Sequence, residues 1–139
     1  VLTTSQQELW RTVGDPHHLP RWWPHVRRVE GVTSRAFTEV LAASDQGRPI
    51  RADFRVLAQE PPRRRVWEQQ LAGSPFERVF AAVRVSVELR PAEGGTRVEL
   101  EIEQRLRGTS KLGAPLAKRG AKRLLGQALD ALEDLHPAE

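Results

Sequence analysis

The sequence predicts an α+β domain in which a curved antiparallel sheet of about six strands wraps around one long C-terminal helix. Three observations carry this reading. Leu112, Leu116, Gly120, Leu124, Ala128, Leu132 and Leu135 recur every three or four positions, widened by Ala117, Ala121 and Leu125, which is the period of one helix face. Upstream, Val79, Ala81, Val83, Val85, Val87 and Leu89 alternate with Phe80, Ala82, Arg84, Ser86, Glu88 and Arg90. After the turn from Pro91 to Gly95, Thr96, Val98, Leu100, Ile102 and Gln104 alternate with Arg97, Glu99, Glu101, Glu103 and Arg105. A hairpin apolar on one face and charged on the other belongs to an antiparallel sheet covered on one side, and the helix stripe supplies the cover.

The remaining elements follow in order. Ser5 and Glu8 have the spacing of a capping box that opens a short helix from Gln6 to Val13, with Leu9, Trp10 and Val13 on its apolar face. Gly14, Asp15 and Pro16 stop it, and His17 to Trp22 forms a second short helical turn before Pro24 forces an extended exit. Strands are then expected over Val26 to Thr33, Ala36 to Ser44, Pro49 to Gln59 and Arg64 to Ala72. Asp45, Gln46 and Gly47 read as a hairpin turn, Pro61 and Pro62 mark another, and Gly73, Ser74 and Pro75 break the chain before the long hairpin.

A chain of 139 residues, 39% hydrophobic and 29% charged, fits one globular domain over residues 1–139, with no apolar run long enough for a membrane span or a secretory core. The expectation is a cytoplasmic protein, monomer or homodimer. Without cysteine it has no disulfide, thiolate nucleophile or zinc-thiolate site. Methionine is absent too, so Val1 is expected to follow residues that were removed or to begin a segment of something longer. The net charge of +4 raises nucleic acid as a partner, but the basic residues alternate with Glu along segments such as Arg97 to Arg105, the pattern of a solvated mixed face, so no nucleic-acid partner is expected.

The order of elements and several local motifs resemble the START-like, helix-grip superfamily (SRPBCC), which includes polyketide cyclase/dehydrase and lipid-transport proteins. The residues that carry the resemblance are Leu9-Trp10, Asp15-Pro16, Leu19 to Pro24 (LPRWWP), Glu60 to Trp67 (EPPRRRVW) and Leu89 to Val98 (LRPAEGGTRV). Members usually begin with a full strand beside the last one, whereas here Val1, Leu2 and Thr3 leave room for a truncated or very short strand. The resemblance implies a cavity between sheet and last helix, open near the short helices, that holds a small apolar or aromatic molecule with no cofactor.

Within that frame, Trp22 and Trp23 between two prolines are candidates for a cavity mouth or for a plug at the end of the sheet. Phe37, Phe54, Trp67, Phe76, Ala81 and Val83 are candidate walls from the strands, and Leu116, Gly120 and Leu124 from the helix. Gly113, Gly120 and Gly126 on that helix make room either for a ligand or for close packing on the sheet. Candidates for acid/base chemistry are His18 and His25 at the entrance, and Arg55 or Glu68 should either turn inward, the alternative being outward salt bridging. No metal is expected, since His17, His18 and His25 come without a carboxylate at ligand spacing. Phosphate loops, a serine nucleophile elbow and an HExxH motif are all missing, which argues against nucleotide, hydrolase and metalloprotease chemistry. The chain also has no tyrosine, which weakens an enzymatic reading and leaves a binding or transport module ahead of a cyclase/dehydrase-like enzyme. A third reading sets Lys111, Lys118, Arg119, Lys122 and Arg123 against an anionic surface and predicts salt-sensitive binding without membrane insertion.

Overall fold

The computed structural model describes residues 2–41, 50–74 and 76–136. Helix α1 (Gln6–Val13) begins where the sequence places it: the Ser5 hydroxyl accepts a hydrogen bond from the Glu8 amide at 3.3 Å, satisfying one of the free amides of the first turn. A 3₁₀ turn (Pro16–His18), capped by Asp15 accepting from the His17 amide, runs straight into α2 (Leu19–Trp22). Six strands follow: β1 (Val26–Glu30), β2 (Ala36–Leu41), β3 (Ile50–Glu60), β4 (Arg64–Gln69), β5 (Phe80–Ala92) and β6 (Gly95–Leu106). They form one antiparallel meander in the order β1-β2-β3-β4-β5-β6. A second 3₁₀ segment (Gly108–Gly113) leads into α3 (Ala114–Leu135).

This is the helix-grip arrangement that the sequence pattern predicts. The β1 strand ends at Glu30 rather than Thr33, because Gly31 turns the chain at a φ of 60°. The expected turn at Asp45 to Gly47 lies outside the described residues, as does Pro75. Ahead of α1, Leu2 makes an isolated antiparallel bridge to Thr96 on β6, with both amide-to-carbonyl bonds formed at 2.8 and 2.7 Å. That bridge occupies the position beside the last strand.

The β5–β6 register pairs Val83 with Gln104, Val85 with Ile102, Val87 with Leu100 and Leu89 with Val98, which puts the predicted apolar row on the concave face. Arg84, Ser86 and Glu88 pair with Glu103, Glu101 and Glu99 on the convex face. The alternation is broken at the start of β5, where an irregularity between Phe80 and Ala82 inserts an extra residue opposite β6. The core is closed by α1 through Leu9 and Val13, by α2 through Leu19 and Trp22, and by the C-terminal half of α3 through Ala128 and Leu132, the α3 pair being fully buried.

The predicted helix stripe holds at Leu124, Ala128 and Leu132 and needs a correction only toward the N-terminal end of α3. Leu112 and Leu116 are exposed at 87% and 71%, and nothing lies within 4 Å of a Cβ built on Gly113, Gly120 or Gly126. The row that faces the sheet is Ala117, Ala121, Leu124, Ala128 and Leu132, turned by one residue from the row through Leu116 and Gly120. The glycines therefore serve neither of the two purposes expected of them.

Candidate functional site

Between the concave face and α3 lies a cavity of about 270 Å³. Its floor comes from alternate strand residues: Glu39 and Leu41 on β2, Ala52 and Phe54 on β3, Gln69 on β4, Val83 and Val85 on β5, Ile102 and Gln104 on β6. Leu124 of α3 covers it. Its mouth is formed by Trp23, Pro24 and His25, which follow α2, and by Phe76 and Phe80, which enter β5. The bulge at the start of β5 is what brings Phe80 to this wall, although strict alternation assigns it to the convex row.

Beneath the wall the aromatic residues form a second layer. Phe37 stacks on Phe54 with centroids 5.3 Å apart and planes 11° from parallel, and Trp67 meets Trp23 edge-on at 6.2 Å. Trp22 meets the other side of Trp23 edge-on at 5.4 Å. Trp22, Phe37 and Trp67 are therefore core residues that hold Trp23 and Phe54 in place, a correction to their expected role as lining. Trp23, Phe54, Phe76, Val83 and Leu124 are the predicted residues that the fold brings together at the cavity. Ala81 lines a neighbouring groove, and Leu116 and Gly120 turn away from both.

Of the four acid/base candidates, His25 alone reaches the cavity, held at its rim with a φ of 69° that a side-chain-bearing residue seldom adopts. His18 donates from Nδ1 to the Arg11 carbonyl at 2.7 Å, which ties the 3₁₀ turn to α1. Arg55 and Glu68 lie on the convex face, where Glu68 pairs with Arg84 at 3.1 Å and with Arg55 at 3.8 Å. The inward turn considered for them does not occur.

Two other ionisable groups do turn inward. Glu39 is 2% exposed, its Oε2 has no hydrogen-bond partner among the described residues, and burial pushes its carboxyl up to about 8. Period-two reading of β2 gives the signal for it: Phe37, Glu39 and Leu41 share one face, and two of the three are apolar. Arg65, on the same face of β4 as Trp67, is 4% exposed and is pushed down to about 10 by burial. Its guanidinium lies 5.5 Å from the centroids of both Phe37 and Trp67 and donates to the Gly14 carbonyl and to Gln59. Arg65 therefore pins the sheet to the end of α1 and does not line the cavity.

A wider groove of about 760 Å³ adjoins the cavity, sharing Ile102 and Gln104 with it. It runs under the N-terminal half of α3, between Ala114, Ala117 and Ala121 on the helix and Ala81, Arg105 and Arg107 on the sheet side, with Lys118 at its edge. Among the described residues no cluster of three His, Asp or Glu side chains is placed to hold a metal, and no helix is long and apolar enough to cross a membrane.

A concave sheet, a long helix across it and a largely apolar cavity between them define the fold, and the sequence matches the family described as polyketide cyclase/dehydrase and lipid transport over residues 1–136. The chain belongs to that family. No curated protein matches it. Among solved structures, it resembles a START superfamily protein from Mycobacterium smegmatis with a TM-score of 0.75 at 14% identity, over 97% of this chain and 91% of that one. The di-domain aromatase/cyclase StfQ of the steffimycin biosynthetic pathway gives the same TM-score at 15% identity, over 97% of this chain and 47% of that one. A protein from Mesorhizobium loti is 25% identical with a TM-score of 0.67, over 97% and 90% of the two chains. These likenesses establish the helix-grip fold of the family member described above.

Proposed function

We propose that this polyketide cyclase/dehydrase and lipid transport family member binds a small hydrophobic or aromatic molecule between its sheet and α3. The observation that supports the reading is the cavity of about 270 Å³, walled by Trp23, Phe54, Phe76, Phe80 and aliphatic side chains. Burying a ring there removes apolar surface from water on both partners, at about 25 cal/mol per Å² before the costs of association. Naphthalene, titrated while tryptophan emission is followed, should bind saturably at one site. Ala52→Phe should abolish binding, since the new ring occupies the space beside Glu39, and Ala52→Val should weaken it in a variant more certain to fold. Wild-type protein that shows no saturable signal would overturn the reading.

A second reading, an enzyme of the cyclase/dehydrase kind, is favoured by one observation: a buried carboxyl whose Oε2 has no partner among the described residues lies in the same cavity. Glu39 would protonate the departing hydroxyl, which leaves as water, and His25 would take the α-proton and release it to solvent. Dehydration of an aromatic β-hydroxyketone, followed by ultraviolet absorbance, should then exceed the background rate and be lost in Glu39→Leu. A rate equal to background would leave binding alone.

A further inference from the structure

The cavity wall holds a carboxyl oxygen, Oε2 of Glu39, that no group among the described residues answers. Glu39 lies between two ladder neighbours, Val29 on β1 and Ala52 on β3, neither of which offers a side-chain donor or acceptor. From the other elements the cavity receives Gln69, Gln104, Leu124 and His25, and His25 is the sole titratable group besides Glu39 among the described lining residues. No lysine or arginine reaches it there. A lone carboxylate in such surroundings costs far more than a neutral acid, so the group is held as a hydrogen-bond donor, its Oε2 unpartnered among the described residues. A buried donor left unmade is a standing cost, which an incoming molecule removes if it brings an acceptor to the right place.

The space sets the size of that molecule. A cavity of about 150 Å³ holds a benzene ring, so 270 Å³ admits one or two rings, and anything longer must run out past Ile102 and Gln104 into the outer groove. Resting on the binding reading above, we propose that the ligand's buried part is a one- or two-ring apolar molecule whose single hydrogen-bond acceptor, a carbonyl or equivalent oxygen, takes a hydrogen bond from the Glu39 carboxyl. The same site disfavours an ammonium group, which would have to be stripped of water together with the carboxylate it pairs with.

Three probes of nearly equal shape separate the possibilities: tetralin, α-tetralone and 1-aminotetralin, which carry no polar group, an acceptor and a cation. At pH 6.5 tetralone should bind about tenfold more tightly than tetralin, the advantage of one buried hydrogen bond. Between pH 6.5 and pH 9 its affinity should fall about tenfold as the carboxyl, whose burial places its titration near 8, ionises, while that of tetralin stays constant. Glu39→Leu should bind both equally. Glu39→Gln keeps a donor at every pH and should retain the tetralone preference without the pH dependence. His25→Gln, whatever it does to the overall affinity, should keep the roughly tenfold fall between pH 6.5 and pH 9, which assigns that fall to Glu39. Equal binding of tetralin and tetralone by the wild type overturns the inference, as does a preference for aminotetralin that grows toward pH 9. If tetralin itself fails to bind, the cavity reading falls with it, so the two failures are distinguishable.

Discussion

Glu39 on β2 stands directly opposite Ala52 on β3, so the carboxyl faces a methyl group across the ladder, and the space that a larger residue would fill is part of the cavity. The pairing explains both properties of the site. The small partner leaves room for a ligand, and its methyl group offers Glu39 no hydrogen-bond partner.

Glu39 should make folding stability depend on pH. Its folded-state titration lies near 8 against an ordinary value of 4.5, so between those limits the folded protein holds a proton that the unfolded chain has lost. Stability from this group is therefore full below about pH 4.5, falls as pH rises, and levels off above about 8, with a slope of at most about 1.4 kcal/mol per pH unit. Urea denaturation at pH 5, 7 and 9 should show the decline, and Glu39→Gln should flatten it and be the more stable form at pH 9.

Arg65 serves stability, with no contact to the cavity. Its guanidinium covers the Phe37 and Trp67 rings and reaches the Gly14 carbonyl at 3.2 Å. Arg65→Ala should cost about 3 kcal/mol, from the lost charged hydrogen bonds and the lost cover of two rings. Arg65→Lys should recover less than half of that, because an ammonium cannot lie flat on the rings while reaching both Gly14 and Gln59. Chemical denaturation of the two variants side by side is the check.

Gly95, which opens β6, is the most crowded of the described glycines. A Cβ added there would lie 1.8 Å from the Leu2 carbonyl oxygen, at a φ of 156°. Gly95→Ala must therefore push Leu2 off Thr96, breaking the bridge and the 2.7 Å bond from the Thr96 hydroxyl to the Thr4 carbonyl. A loss of about 2 kcal/mol is expected, with faster amide exchange at Leu2 and Thr96 than in the wild type.

The two faces of α3 should respond in opposite ways. Leu132 is fully buried, and Leu132→Ala should cost about 3 kcal/mol. Leu116 is 71% exposed, and Leu116→Gln should change stability by less than about 0.5 kcal/mol. A large loss at Leu116 would mean that the N-terminal half of α3 also turns its leucines inward, as the full sequence stripe suggests.

The sequence by itself determined the order of the elements, the Ser5 cap, the β5–β6 hairpin with its charged convex face, and the existence of a long amphipathic helix. Each of these is set locally: capping is a three-residue relationship, and the pleat alternates side chains whatever lies above them. Which face of α3 meets the sheet was decided by the tertiary structure. The rows through Leu116 and through Ala117 both recur at helical spacing, and the burial of Ala128 and Leu132 in the core fixes which of them turns toward the sheet. The same holds for the site. Period-two reading alone sends Phe80 outward, and only the bulge opposite β6 brings it to the cavity wall. Glu39 shares a strand face with Phe37 and Leu41, which sequence alternation does reveal. That its ladder neighbours, Val29 and Ala52, offer the carboxyl no partner follows from cross-strand register, which is set by the assembled sheet, beyond the reach of any one segment.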